Sequence, residues 1–313
     1  MLTYIIKRVL LFIPTVIAVL FITFTMGYLG PGDPIQTQVM RVNPRLADQE
    51  TIERLREVYG LNRPFLVQWG DWVGRILRGD FGKSFATRTD IGPAIAYRLP
   101  ISAQLGAAGF VILAIGGVLL GTLAALKQNT WIDHFIVGSA LFINSFPIFV
   151  LAPLLIIVVI LWLKLLPSTL GWDGIFSAKA ILPILLFSVT GWISPIRFAR
   201  NGLIEVLSQD YVRTARAKGL PERLVILRHV VKNGLISTVT FLGLAVSGMV
   251  TGSLFIESAF AIPGYGYMAV QGLTANDYNV IMATTLIGAV LVIAANLITD
   301  LLYGVLDPRV RYE

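Results

Sequence analysis

The sequence contains no cysteine, which excludes thiolate catalysis, iron–sulfur clusters, cysteine zinc sites and disulfide scaffolds. Histidine is almost as scarce. Only His134 and His229 occur, far apart and each beside the border of an apolar run, so a histidine metal site or a Ser/His/Asp device lacks material. Each reads instead as a polar interface residue. Charge is the third shortage: Asp, Glu, Lys and Arg make up 14% of 313 residues, against about 25% in an ordinary soluble domain. No HExxH, nucleophile elbow or dinucleotide fingerprint is present. Gly82-Lys83-Ser84 has the ending of a phosphate loop, but the opening glycine would have to stand at Leu77.

What is abundant is apolar surface. With 56% hydrophobic residues and a mean hydropathy of +0.76, the chain exceeds what one water-soluble core could hide, and a lipid bilayer is the solvent that fits. Six stretches approach or reach the roughly 20 apolar residues a crossing helix needs: 9–29, 101–126, 135–163, 180–196, 234–256 and 278–299. The fourth is short, and the stems of Lys179 and Arg197 can reach the interface from slightly inside. The first resembles a secretory signal in having Lys7 and Arg8 before it. Its apolar part is about twice an h-region in length and no small-residue cleavage site follows, so it is expected to be retained.

Basic residues set the orientation. With the N-terminus inside, thirteen Lys and Arg fall on the inner side and the short outer loops carry only Lys164 and Lys179. Both termini are therefore expected in the cytoplasm, and the net charge of +7 reads as topology with no nucleic-acid face. The segment 30–100 is then an extracytoplasmic insertion. Asp48 can cap a helix carrying Ile52, Leu55 and Val58, with Gly60 as its left-handed stop. A second helix, started by Asn62 and Pro64, has Trp69, Trp72, Val73, Ile76 and Leu77 on one face. That face requires a cover, from the outer ends of membrane helices or from a docking partner.

Within the spans, Gly117 with Gly121 and Gly248 with Gly252 have GxxxG spacing and read as close helix packing. Asn144 and Ser145 precede Pro147, which frees a backbone carbonyl, so they either line a wet path or hold helices together. Glu257 and Asp300 stand at span edges, as outer-mouth and inner-gate residues or as simple helix ends. The inner segment 197–233 is too polar to span. Asp210 to Lys218 suits a two-turn helix with Asp210 at its positive end and Gly219 as its stop, and Leu220-Pro221-Glu222 restarts a helix. Such a helix is a stiff knob for a cytoplasmic partner, or else a basic loop that sets topology and touches lipid phosphates.

The run Asp210-Tyr211-Val212-Arg213-Thr214-Ala215-Arg216-Ala217-Lys218-Gly219-Leu220 closely resembles the cytoplasmic EAA-type loop of permease subunits in the dipeptide, oligopeptide and nickel family of ABC importers. Other stretches resemble the same family in order along the chain: Tyr4-Ile5-Ile6-Lys7-Arg8, Gly30-Pro31-Gly32-Asp33-Pro34, Gly79-Asp80-Phe81-Gly82-Lys83-Ser84, Glu257 through Pro263-Gly264-Tyr265-Gly266, Asp277-Tyr278, and Asp300 through Leu306-Asp307-Pro308-Arg309. One departure is that Arg213-Thr214-Ala215 stands where the general loop has Glu-Ala-Ala, so no role of that glutamate carries over to Arg213.

The resemblance implies an all-α membrane protein, with six transmembrane helices in the type I ABC importer permease architecture. Its parts would be a tail and first helix over 1–29, the helical insertion over 30–100, and a permease core over 101–313 holding the coupling loop 197–233. It implies a multi-pass subunit in a prokaryotic inner or plasma membrane that moves peptides by alternating access. Expected partners are a second homologous permease, two ATPase subunits and an extracytoplasmic binding protein. ATP and Mg would sit on the ATPases, with no cofactor on this chain and no catalysis by it. Residues 210, 211 and 213–220 would couple to the ATPase, and Asn144, Ser145, Glu257 and Asp300 would line the path or gate. Nickel complexes, glutathione or oligosaccharides are alternative cargoes within the family. A secondary transporter would show an inverted repeat and midplane charges, and a membrane enzyme would show a reactive constellation.

Overall fold

The computed structural model describes residues 2–29, 36, 39, 48–58, 60–167, 170–246, 249 and 253–306, with side chains throughout these except at 2–9, 55, 58 and 300–306. The stretch Gly30 to Pro34, the pair Gly248 and Gly252, and residues 307–309 lie outside the described residues, and the side chain of Asp300 does too. Among the described residues the fold is helical, with one isolated bridge between Lys83 and Asp90.

The chain opens with α1 (Leu2–Leu29), followed by the short α2 (Gln49–Val58) and α3 (Phe65–Leu77), and then the long α4 (Ile91–Leu126). Next come α5 (Trp131–Asn144) and α6 (Ile148–Leu155), the latter running on as a π-helix over Ile156–Trp162. Between them Pro147 cannot donate its backbone nitrogen and disfavours helix in the residue before it, and the axis turns by 99°. Helices α7 (Ala178–Gly191) and α8 (Ile193–Leu207) meet at 46°. The polar segment then forms α9 (Asp210–Ala217). A run through α10 (Glu222–Leu224), a π-helical stretch Val225–Val231 and α11 (Lys232–Gly234) meets α12 (Ile236–Ala245) at 47°. The chain ends with α13 (Leu254–Ala259), α14 (Tyr265–Thr274) and α15 (Tyr278–Leu306). Among the described residues three helices are long and apolar enough to cross unbroken, and the count reaches the expected six if each bent pair is one span.

The chain divides into two compact units, one of residues 1–100 with 263–313 and one of residues 101–262. In the first, α1 packs along α15, where Gly27 leaves room for Met282: a Cβ there would lie 2.4 Å from its sulfur. The two insertion helices form where the residues predicted them, and Gly60 takes φ +69°. Pro64 sits at the N-cap of α3, just before its first turn. Most of the apolar face of α3, Trp69, Trp72, Val73 and Ile76, is covered by α1 together with Leu286 of α15, while Leu77 stays exposed. Phe65 lies between Phe21, Phe24 and Tyr28 at centroid distances of 5.7, 5.4 and 5.1 Å, and Trp72 stacks obliquely on Phe24. A second cluster joins Ile91 and Ile95 to Tyr265, Met268, Val280 and Ala283.

The same unit carries a buried polar clasp. Asp277, 2% exposed, accepts from Ser84 Oγ at 2.6 Å and from the backbone N–H of Ala86 at 3.0 Å, while Asn279 Nδ2 donates to the Lys83 carbonyl at 2.9 Å. Gly82-Lys83-Ser84 therefore serves as one half of a turn-to-helix clasp. This matches a buried polar group that has found its hydrogen bonds.

In the second unit α4 packs against the α7–α8 bend. A Cβ on Gly117 would meet Pro195 Cγ at 2.5 Å, and one on Gly121 would meet Ala199 Cβ and the Ile196 carbonyl at 2.7 Å. The first GxxxG is thus a backbone-close packing seam. The central cluster is Leu105, Leu182, Ile184, Leu186, Ile256, Phe260 and their neighbours. Glu257 is fully buried on α13, in the first turn behind the Ser253 cap.

Candidate functional site

The 210–220 segment folds as its residues dictate. Asp210 occupies the first turn of α9, where a carboxylate complements the helix dipole. At the other end the Gly219 N–H donates to the Arg216 carbonyl at 2.9 Å and the Leu220 N–H to the Ala215 carbonyl at 3.4 Å. Together with φ +75° at Gly219, this is a Schellman stop. Nothing lies within 4 Å of a Cβ built on Gly219, so the backbone angle, and not crowding, demands glycine.

Helix α9 has two faces. Val212 is fully buried and Ala215 nearly so, in a cluster with Ala125 at the end of α4, Leu203 of α8, and Val225 and Val230 of the π-helical stretch. Leu220 packs against the same cluster. The opposite face presents Asp210, Tyr211, Arg213, Thr214, Arg216, Ala217 and Lys218 to solvent. Arg216 donates to Glu222 through Nε at 3.2 Å and Nη2 at 2.7 Å, which ties α9 to the restarted helix and holds the Glu222 carboxyl below its usual range. That pair is complete above the ordinary carboxylate pKa and is lost only as pH falls through the lowered one. Asn233 Nδ2 reaches the Tyr211 hydroxyl at 3.3 Å.

Below this helix lies a contact that the sequence reading missed. Asp133, 2% exposed, receives Arg200 in a fork: Nε to Oδ1 at 2.7 Å and Nη2 to Oδ2 at 2.7 Å. Its Oδ2 also accepts the Asn129 N–H at 3.0 Å, in the turn where Asn129 has φ +62°. The available signal was a lone acid in the first turn of a largely apolar helix. His134 Nδ1 lies 2.7 Å from the Thr130 carbonyl, and at His229 it is the backbone carbonyl that accepts from Asn233 Nδ2.

The α5–α6 and α7–α8 bends and the C-terminal end of α12 border a cavity of about 340 Å³, walled by Phe110, Leu113, Ile148, Phe187, Thr190 and Met249 among others. Asn144 Nδ2 donates to the Thr190 carbonyl at 3.0 Å, so it bridges the α5 break to the α7 bend, while Ser145 Oγ turns back to the Leu141 carbonyl. Of this stretch Ile148 lines the cavity, while Asn144 reaches only the backbone of its Thr190 wall and Ser145 is not among the lining residues. Glu257 belongs to the packed core on α13, and Asp300 is known only as a position on α15. Among the described residues no group of three His, Cys, Asp or Glu side chains could hold a metal ion.

Comparison with known proteins agrees along the full length. Residues 117–312 match the family model described as binding-protein-dependent transport system inner membrane component, and residues 1–106 match the model of that component's N-terminal region. The chain is 38% identical to the oligopeptide transport system permease protein OppB of Salmonella typhimurium, over all of both chains. It is 37% identical to the dipeptide transport system permease protein DppB of Lactococcus lactis subsp. cremoris, over 99% of this chain and all of that one. The OppB of Haemophilus influenzae is 34% identical, again over both whole chains.

Proposed function

Since the chain belongs to the family of binding-protein-dependent transport system inner membrane components, we propose that it is the membrane-spanning permease of an ATP-driven importer of peptides. Its relatives are oligopeptide and dipeptide transport permeases, it is a multi-pass inner-membrane protein, and its family works with ATP-hydrolysing and substrate-binding partners. The finer assignment is a complex of this chain, a second homologous permease, two ATPase subunits that hold ATP and Mg, and an extracytoplasmic binding protein. Both termini and α9 face the cytoplasm. The chain itself performs no catalysis.

The observation that carries the mechanism is the two-sided character of α9. One side is exposed and charged; the other is sunk into a cluster shared by the ends of α4 and α8 and the lead-in to α12. A partner gripping the charged side moves three membrane helices through Val212 and Ala215, because packed side chains transmit displacement with little compression. Closure of the ATPase pair upon ATP would tilt those helices and open the bundle outward, and hydrolysis would restore the inward state. The bends at Pro147, Trp192 and Leu235 are places where such a crossing can flex without breaking a continuous hydrogen-bond ladder. The adjacent cavity, with Asn144 at its margin, supports a path there for peptide side chains.

Purification of the tagged chain from its host membrane should bring along a second permease and ATPase subunits. The reconstituted complex should accumulate labelled peptide only with ATP and the binding protein. Uptake by the purified chain alone would overturn the assignment.

A further inference from the structure

We propose that the Asp133–Arg200 ion pair is a positioning device for transport: it makes the α5 crossing travel with α9, so that movement imposed on α9 reaches the break at Asn144. The inference rests on the reading of the chain as an ATP-driven permease. Helix α8 is the shared element. Its Ile196 enters a cluster with Ala124, Ile136 and Ala140, and its Leu203 enters the cluster that holds Val212 and Ala215. Arg200 lies between them on the same helix face, four residues after Ile196 and three before Leu203.

Both sides of α8 are held by apolar contacts. Toward α9, Leu203 shares a cluster with Val212 and Ala215. Toward α5, Ile196 lies in a cluster with Ile136 and Ala140, with Ile132 and Val137 packed against it, and apolar contacts of this kind permit sliding of packed helices. The fork to Asp133 removes that freedom. Both its bonds are at 2.7 Å, and a slip of α5 along α8 would strain them together and leave a carboxylate with 3% side-chain exposure uncompensated. The same carboxylate holds the Asn129 N–H, so the turn from α4 into α5 is fixed to the same point. The ends of α4, α5 and α8 therefore move as one block with α9. The break at Asn144, whose amide reaches Thr190, lies at the far end of α5 from this fork.

A role in stability alone makes a different prediction, because apolar groups of similar volume often replace a buried ion pair without loss. The test uses the complete complex reconstituted with its binding protein, the wild type first being shown to import peptide with ATP; failure there would fall on the functional reading and not on the pair. In the double variant Asp133→Leu/Arg200→Met we expect the complex to assemble and to hydrolyse ATP at near the wild-type rate, with peptide taken up per ATP hydrolysed falling about five- to tenfold. In Asp133→Cys/Arg200→Cys, on a chain with no other cysteine, the same loss is expected in the reduced state. Bridging the two thiols with a bifunctional reagent should restore the ratio to within about twofold of wild type. An undiminished ratio in the apolar double variant, a parallel fall of hydrolysis and uptake, or a bridged complex no better coupled than the reduced one would each overturn the proposal. If the apolar variant does not assemble, Asp133→Asn decides by the same ratio.

Discussion

Gly219 is the residue on which the form of the α9 stop depends. Its φ of +75° is costly for a side chain with a β-carbon, by roughly 1–2 kcal/mol and more for a β-branched one. No neighbour would obstruct the added atoms. Gly219→Val should therefore leave insertion and complex assembly intact while altering the exit from α9, and so lower substrate-stimulated ATP hydrolysis together with uptake. Measuring both in reconstituted complexes checks this, and unchanged coupled turnover would remove Gly219 from the mechanism. The position was legible in the sequence because a glycine directly after the polar stretch 210–218, followed by Leu-Pro-Glu, is a local signal. Asp133 was not legible. Its partner is 67 residues away, and nothing in the spacing of either residue announces the other.

Among the elements, the α4–α8 contact is a close seam in the second unit. Gly121 faces the Ile196 carbonyl, a backbone atom that cannot rotate aside. Gly121→Val should push the helices apart and lower stability by about 1–3 kcal/mol, read as a reduced Tm of the purified complex in detergent. Gly138→Ala, with nothing within 4 Å of the new Cβ, is the matched control and should leave Tm unchanged. Sequence spacing identified Gly117 and Gly121 as a packing face but not the opposing surface, which is the α7–α8 bend. The cover over the Trp69 and Trp72 face was likewise open in the sequence, where a docking partner served as well as a membrane helix. The aromatic ring contacts assign part of it to Phe21, Phe24 and Tyr28 of α1. The break in the third apolar stretch was signalled by Pro147, but its 99° angle depends on what the following helix packs against.

For the whole molecule, the proposed orientation places α3 and α9 on opposite faces of the membrane. Single cysteines at Asn62 and Lys218, both exposed and in a chain without native thiols, should label with a membrane-impermeant reagent from outside and only after permeabilisation, respectively. Labelling of both from one side would overturn the topology. The sequence by itself determined the solvent, the apolar stretches, the short helices of the insertion and the extent of α9. Each of these follows from composition, hydrophobic run length or the backbone preferences of Gly and Pro, which act within a few residues. Only the tertiary structure decided that Asp133 closes on Arg200, that Ser84 closes on Asp277, and that Val212 and Ala215 turn inward while their neighbours face out. Burial converts a commonplace polar residue into one that must find a partner, and the partner is chosen by the path of the chain through three dimensions, which periodicity along one dimension does not contain.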